Sequence, residues 1–410
     1  MEGMAAAPSL PSLDPSRARA APSRFVNVAE ARARFGARAV DRLVPFFWAG
    51  DPMADEAIES IRAMRPGEGF ALLKEAARLG AARVPGLPPA LARLVEWSEE
   101  VPSWVDWDTI ARAGRMFFRA GPLAGVVLGA GSIVFGYLSP GGNKPLVFSG
   151  RLQEQAAARL DETARFVQAI ARQGGARPRA EGWQIALRVR LIHAQVRRML
   201  QESGRYDVAS WGVPINQHDM GGTTLLFSIV VVEGLRRLGV PISGEDAEAY
   251  IHLWRWMGHL MGVDPAIVPK SMDEARSFGE LVRLTQGAPD HDSRALTRAL
   301  LDSPFQHGDV RRRRDRAFAA RQAAIGTFFC RALHGDAIAD ALDVPRSPFM
   351  PLLPALRASV FAYHSVVSRS AFAERRAIEI GERYWDDVIK VGLAQTTYDF
   401  GLPERLGGLR

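Results

Sequence analysis

Apolar side chains recur along most of this chain at three- and four-residue intervals, with charged and small polar residues between them. That period predicts amphipathic helices, and the abundance of alanine, leucine and arginine supports it. Helices are expected over residues 26–44, 54–79, 88–99, 106–120, 150–172, 181–202, 220–238, 245–261, 271–284, 292–301, 310–334, 351–361 and 371–393. Gly174, Gly175 and Pro178, then Gly239 and Pro241, mark interruptions, as does the run Ser139-Pro140-Gly141-Gly142. Period-two alternation is scarce, so the expected fold is all-α. A loose leader over residues 1–23 precedes one helical domain over 24–410.

Two segments are apolar throughout. Residues 121–138 (GPLAGVVLGAGSIVFGYL) approach the length of a membrane span, but they are glycine-rich and closely flanked by charges. A buried helix is the preferred reading, with membrane association as the lesser one. Residues 222–232 are too short to span and read as core.

The net charge of +7 and the pI near 9.9 come almost entirely from arginine; Lys74, Lys144, Lys270 and Lys390 are the only lysines. The arginines are interleaved with Asp and Glu, apart from Arg311–Arg314 with Arg316. No aromatic interleaving or binding motif accompanies that run, so no nucleic-acid partner is expected and a solvated face is. The single cysteine, Cys330, cannot form an intrachain disulfide and reads as a buried thiol. With no continuous apolar core near the N-terminus, a cytoplasmic location is expected.

Among the eight histidines, His193 has distinctive surroundings. Arg190 and Arg197 lie three before and four after it, on one helical face. Two flanking cations disfavour protonation and leave a ring nitrogen for a metal, while Val189, Ile192 and Val196 provide an apolar wall. The arginines suit carboxylates of a bound group equally well as carboxylates of a neighbouring helix. One helix earlier, Arg159, Glu162 and Thr163 share a face and offer a charge, a carboxylate and a hydroxyl, or an ordinary intrahelical ion pair. A separate constellation, Glu248, His252 and His259 on one face, suggests a non-haem metal enzyme.

Taken together, Arg190-Leu191-Ile192-His193-Ala194-Gln195-Val196-Arg197, the Arg159 and Thr163 pair, the turn Gly212-Val213-Pro214-Ile215-Asn216-Gln217 and residues 250–263 resemble the latex-clearing-protein family of rubber oxygenases. The resemblance runs over about residues 104–269. It implies a globin-like helical core with additional N- and C-terminal helices, haem b as cofactor and His193 as its iron ligand. Arg190 and Arg197 would hold the propionates or the proximal side, and Arg159, Glu162 and Thr163 would line the distal pocket. The implied chemistry is cleavage of a double bond in a small apolar, isoprenoid-like substrate by dioxygen. Two departures stand out: Glu162 occupies the position of a distal lysine, and no carboxylate lies near Asn143-Lys144-Pro145, where a distal base is expected. A haem sensor or carrier without turnover is therefore the other reading of the same residues.

Overall fold

A computed structural model describes residues 20–148, 156–306 and 311–395. Most of the expected leader and the expected start of a helix at Gly150 lie outside those residues. Among the described residues there are helices and turns but no strands.

Side-chain caps set many of the helix starts. Asp106, Asn216, Ser243, Ser271 and Asp290 each accept a hydrogen bond from a backbone N–H in the following turn, filling donors that no intrahelical carbonyl can reach. Elsewhere the structure divides what periodicity joined. The expected helix over 54–79 is two, Pro52–Ser60 and Glu68–Leu79. Pro66 and the left-handed Gly67 (φ 81°) separate them. The expected helix over 220–238 breaks at Ser228 into Gln217–Phe227 and Ile229–Arg237. The Ser228 hydroxyl donates to Thr224 O at 2.7 Å. The expected breaker at 139–142 instead starts a helix, Pro140–Phe148. Ser139 caps it, accepting from Gly142 N at 3.2 Å, and proline at the first helical position forfeits only an N–H that has no partner there.

The apolar stretch after Gly121 is a buried, widened element. Pro122–Val126 leads into a π-helix, Val127–Ile133, and then Val134–Gly136. It bends by 93° from the preceding helix, Trp107–Ala120. No single helix among the described residues is long and apolar enough to cross a membrane.

Trp107–Ala120 is the axis of the packing. Gly244–Leu260 and Ala371–Gln395 lie against it, and Ala156–Ala171 crosses it closely. A Cβ on Gly114 would fall 1.9 Å from Ala171 O, and one on Gly381 would fall 1.9 Å from Phe118 O, so both crossings are backbone against backbone. The helix carrying His193, Glu181–Glu202, packs against Ala156–Ala171, Pro52–Ser60, Glu68–Leu79 and Gly244–Leu260. Five of its apolar or glycine positions in the first two turns are buried, which fixes its rotation.

Candidate active site

His193 sits in the fourth turn of its helix. Its imidazole is deep in the protein and surrounded on all sides, yet it keeps some accessible surface. The neighbours of His193 therefore do not cover it completely. Nδ1 is enclosed without a hydrogen-bond partner. Burial, then the positive charge of Arg197, pulls the imidazole pKa down to about 4; Asp51 opposes this, and Arg159 adds a smaller push in the same direction as Arg197. The ring is therefore neutral at physiological pH and has a lone pair to give to a metal.

Arg190 and Arg197 hold the helix through protein acceptors. Arg190 forms a two-pronged ion pair with Asp51, Nε to Oδ2 at 2.6 Å and NH2 to Oδ1 at 2.9 Å. Its remaining nitrogen donates to Leu260 O at 3.3 Å, and its guanidinium lies 4.7 Å from the centre of the Trp97 ring. Arg197 donates to Asp55 Oδ1 (2.5 Å), Pro214 O (3.2 Å) and Ile215 O (3.1 Å). Both guanidinium groups are thus engaged by protein acceptors. The neighbouring-helix alternative describes them, and the expected propionate contacts are not what these side chains are arranged to make.

The turn 212–217 is part of the same support. Gln217 Nε2 donates to Gly50 O and Gly262 O, its Oε1 accepts from Asp264 N, and Val213 N donates to Phe47 O. Gly262 (φ 74°) closes the arrangement, since a Cβ there would lie 2.3 Å from Asp51 Oδ2. His218, in the first turn of Gln217–Phe227, stacks on Phe47 with ring centres 4.0 Å apart.

Arg159, Glu162 and Thr163 lie together on Ala156–Ala171, and all are partly buried. The Arg159 charge is near enough to lower the His193 pKa and to act on the buried Tyr137 hydroxyl. Thr163 Oγ1 donates its proton to Arg159 O at 2.8 Å, which leaves that oxygen to serve only as an acceptor. Leu160 of the same helix faces Gly129 of the π-helix. Val189 and Ile192 on the His193 helix, and Leu160 and Ala164 on the Arg159 helix, are partly buried hydrophobics packed against the main core.

Lys144 is held by Asp290 and Asp292 at 2.9 and 2.5 Å, and Asn143 Nδ2 donates to Tyr137 O. The stretch expected to lack a carboxylate thus has its polar groups tied elsewhere. Sequence reading missed Asp51, Asp55 and Tyr137. Asp51 carries a local signature as the cap of a helix beginning with proline, but its pairing with a residue 139 positions away does not.

The Glu248, His252 and His259 constellation is corrected by the structure. The Glu248 carboxylate accepts from Met272 N, His252 Nε2 accepts from Asp106 N at 3.0 Å, and His259 stacks on Trp97 at 4.5 Å. Each group already has a different partner, and no cluster able to hold a metal ion through three or more His, Cys, Asp or Glu occurs among the described residues. Cys330 is fully buried in Arg313–His334 and its thiol is pushed up to about 12 by burial, so it is an inert core thiol. The arginine run 311–314 is exposed.

Fold and site define an all-α protein with a neutral, enclosed histidine whose Nδ1 has no partner, on a helix close to the Arg159 charge. The profile of the family described as ER-bound oxygenase mpaB/B'/Rubber oxygenase, catalytic domain, matches residues 107–364, and the chain belongs to that family. The match reaches well past residue 269, where the motifs become hard to see. A rubber oxygenase from Streptomyces sp. (strain K30) is 29% identical over 233 residues, which cover 56% of this chain and 57% of that protein. The similarity thus spans little more than half of the relative's length. The solved structure of latex clearing protein LCP in the closed state superposes with a TM-score of 0.67 at 22% identity, covering 84% of this chain and 91% of that one. At that identity the likeness is one of fold.

Proposed function

We propose that this protein is a haem b-dependent oxygenase that uses dioxygen on a small unsaturated, isoprenoid-like substrate, cleaving a carbon–carbon double bond. The observation that carries the reading is the His193 imidazole: neutral, enclosed, with an unpartnered ring nitrogen, and with the apolar Val189 and Ile192 beside it on its helix. These residues fit a haem, because the macrocycle needs an uncharged imidazole ligand within apolar walls. Family membership supports an oxygenase, and the named relative is a rubber oxygenase.

In this reading His193 ligates the iron. Bound haem supplies the redox-active metal at which dioxygen is used. Arg190 and Arg197, fixed by Asp51 and Asp55, stop the His193 helix from rotating, and burial with the Arg197 charge keeps the imidazole uncharged. Arg159 presents a positive charge beside the site, where it stabilises negative charge developing on the reacting groups. Glu162, the carboxylate on the same face, takes the role of the base, and Thr163 Oγ1 accepts a hydrogen bond. The aliphatic walls exclude water and favour an apolar substrate. A cytoplasmic location belongs to the same proposal, supported by a lone buried thiol that asks for no oxidising compartment.

A haem carrier without turnover remains the second reading, favoured by the tying of Asn143 and Lys144 to other groups. The test is the visible spectrum of protein expressed with ample haem. A Soret band that disappears in His193→Ala supports haem ligation, and its absence from the wild type refutes both readings. Dioxygen-dependent loss of an isoprenoid alkene by the reduced protein then separates enzyme from carrier.

A further inference from the structure

Nine of the twelve large hydrophobic side chains exposed among the described residues fall within residues 349–391. Six of them, Phe349, Leu352, Phe361, Tyr363, Val366 and Phe372, lie on or beside one helix, Leu353–Val367, and each is more than half exposed. The helix buries only a narrow strip: His364 and Val367 are covered, with Leu353, Leu356 and Val360 half-covered on the same side. The rest of its circumference is Pro354, Ala355, Ala358, Ser359, Phe361, Ala362, Tyr363 and Val366, with Arg357 its single charge. A contiguous apolar face of this kind on a protein surface is expected to have something to cover it.

Charge identifies what. From Val344 to Ala373 the chain has no Asp or Glu and has three arginines, Arg346, Arg357 and Arg369. This is a chain in which acidic residues make up about one position in eight elsewhere. All three arginines are exposed, and none forms an ion pair among the described residues. Arg357 also lines an open cleft with Arg236, Pro241, Ile242 and Phe361, at the edge of the apolar face. Exposed aromatic and aliphatic side chains interspersed with unpaired arginines, in a stretch from 344 to 373 without a carboxylate, match the layered chemistry of a lipid surface: acyl chains below, anionic headgroups at the rim. A second copy of the same face would bring arginine against arginine.

We propose that the helix Leu353–Val367, with Phe349 and Phe372 at its flanks, is a peripheral membrane-docking surface that lies in the headgroup layer of an anionic bilayer. The contact is interfacial, not spanning. The helix inserts its apolar arc by about 5–10 Å while Arg346, Arg357 and Arg369 meet lipid phosphates. It lies apart from His193 and does not depend on the oxygenase reading.

The test is co-sedimentation of the full chain with vesicles of phosphatidylcholine alone and of phosphatidylcholine with one-quarter phosphatidylglycerol. The wild type is expected to bind the anionic vesicles, more weakly as salt is raised, and to bind neutral vesicles much less. Phe361→Ser with Val366→Ser should lower the partition about tenfold or more, and Arg357→Glu with Arg369→Glu should remove the preference for anionic lipid. Phe318→Ser, at an exposed aromatic on another helix, should bind as the wild type does. Wild-type protein that stays in the supernatant with both vesicles overturns the proposal, as does undiminished binding by the serine variant. A wild-type dimer that the serine variant converts to monomer, without vesicle binding, also overturns it and assigns the face to self-association. A circular dichroism spectrum unchanged from wild type keeps a loss of binding from being read as unfolding.

Discussion

Asp51 and Arg190 face each other edge to edge with two hydrogen bonds, and both are almost completely withdrawn from solvent, at 5% and 1% side-chain exposure. The pair joins the start of Pro52–Ser60 to the middle of the His193 helix. Asp51 also caps its own helix by accepting from Ala54 N. Removing one partner leaves a buried charge alone. Asp51→Ala is expected to cost about 3–5 kcal/mol in denaturant unfolding. Asp51→Ala with Arg190→Met should recover part of that loss, because no charge is then stranded. Full additivity of the two single changes would show that the pair is not coupled.

Stability should fall with mild acid. His193, His259, His334 and His364 all have pKa values pulled down to about 4, chiefly by burial. In the unfolded chain they titrate near the ordinary value of about 6.5. The unfolded state therefore binds more protons between those values. Stability is complete above about pH 6.5 and is lost as pH falls toward 4. The melting temperature of haem-free protein should drop steadily from pH 7 to pH 5. His364→Leu removes one titrating group and should make that drop shallower, whatever its effect at pH 7.

Under the proposed function, variants at Arg159 and Thr163 should separate cofactor binding from turnover. Arg159 lies near His193 but comes from the other helix, so Arg159→Ala should leave the Soret band in place. Dioxygen-dependent substrate loss should fall by about a hundredfold, the scale for deleting a positioned charge or donor. Thr163→Val removes an acceptor and breaks the bond to Arg159 O, and a smaller loss, about tenfold, is expected. Loss of the band itself in either variant would make these residues cofactor ligands or packing residues instead.

His252 provides the check on a non-haem metal site. Its Nε2 accepts from the Asp106 amide. His252→Ala should reduce stability by about 1 kcal/mol, the usual cost of one hydrogen bond, and leave bound iron and the Soret band unchanged. A stoichiometric loss of metal in this variant would restore the discarded constellation.

Helix existence was legible in the sequence wherever an apolar period met a capping residue, as at Asp106, Ser243 and Ser271. Breaks inside apolar runs were not. Ser228 interrupts a continuous row of Val, Ile and Leu that reads as one helix, and the π-helix at 127–133 has the composition of an α-helix. The breaker run at 139–142 misled because proline and glycine are unfavourable inside a helix but harmless in its first turn. In the site, His193 was legible from its flanking arginines and the Arg-Leu-x-His-Ala pattern. The acceptors of those arginines were not, because a contact between residues 51 and 190 depends on tertiary packing and leaves no periodic trace.

The helix Ala371–Gln395 lies beyond the last residue matched by the family, yet it reaches the middle of the molecule. Its Trp385 is buried, with its ring centre 5.0 Å from that of Phe117, and the bare backbone at Gly381 rests on Phe118 O. The stretch that evolution has kept recognisable is therefore shorter than the stretch that must collapse together. A fragment trimmed to the recognisable borders would expose the underside of its own central helix, and any attempt to express or redesign the catalytic portion has to bring along sequence that similarity alone would discard.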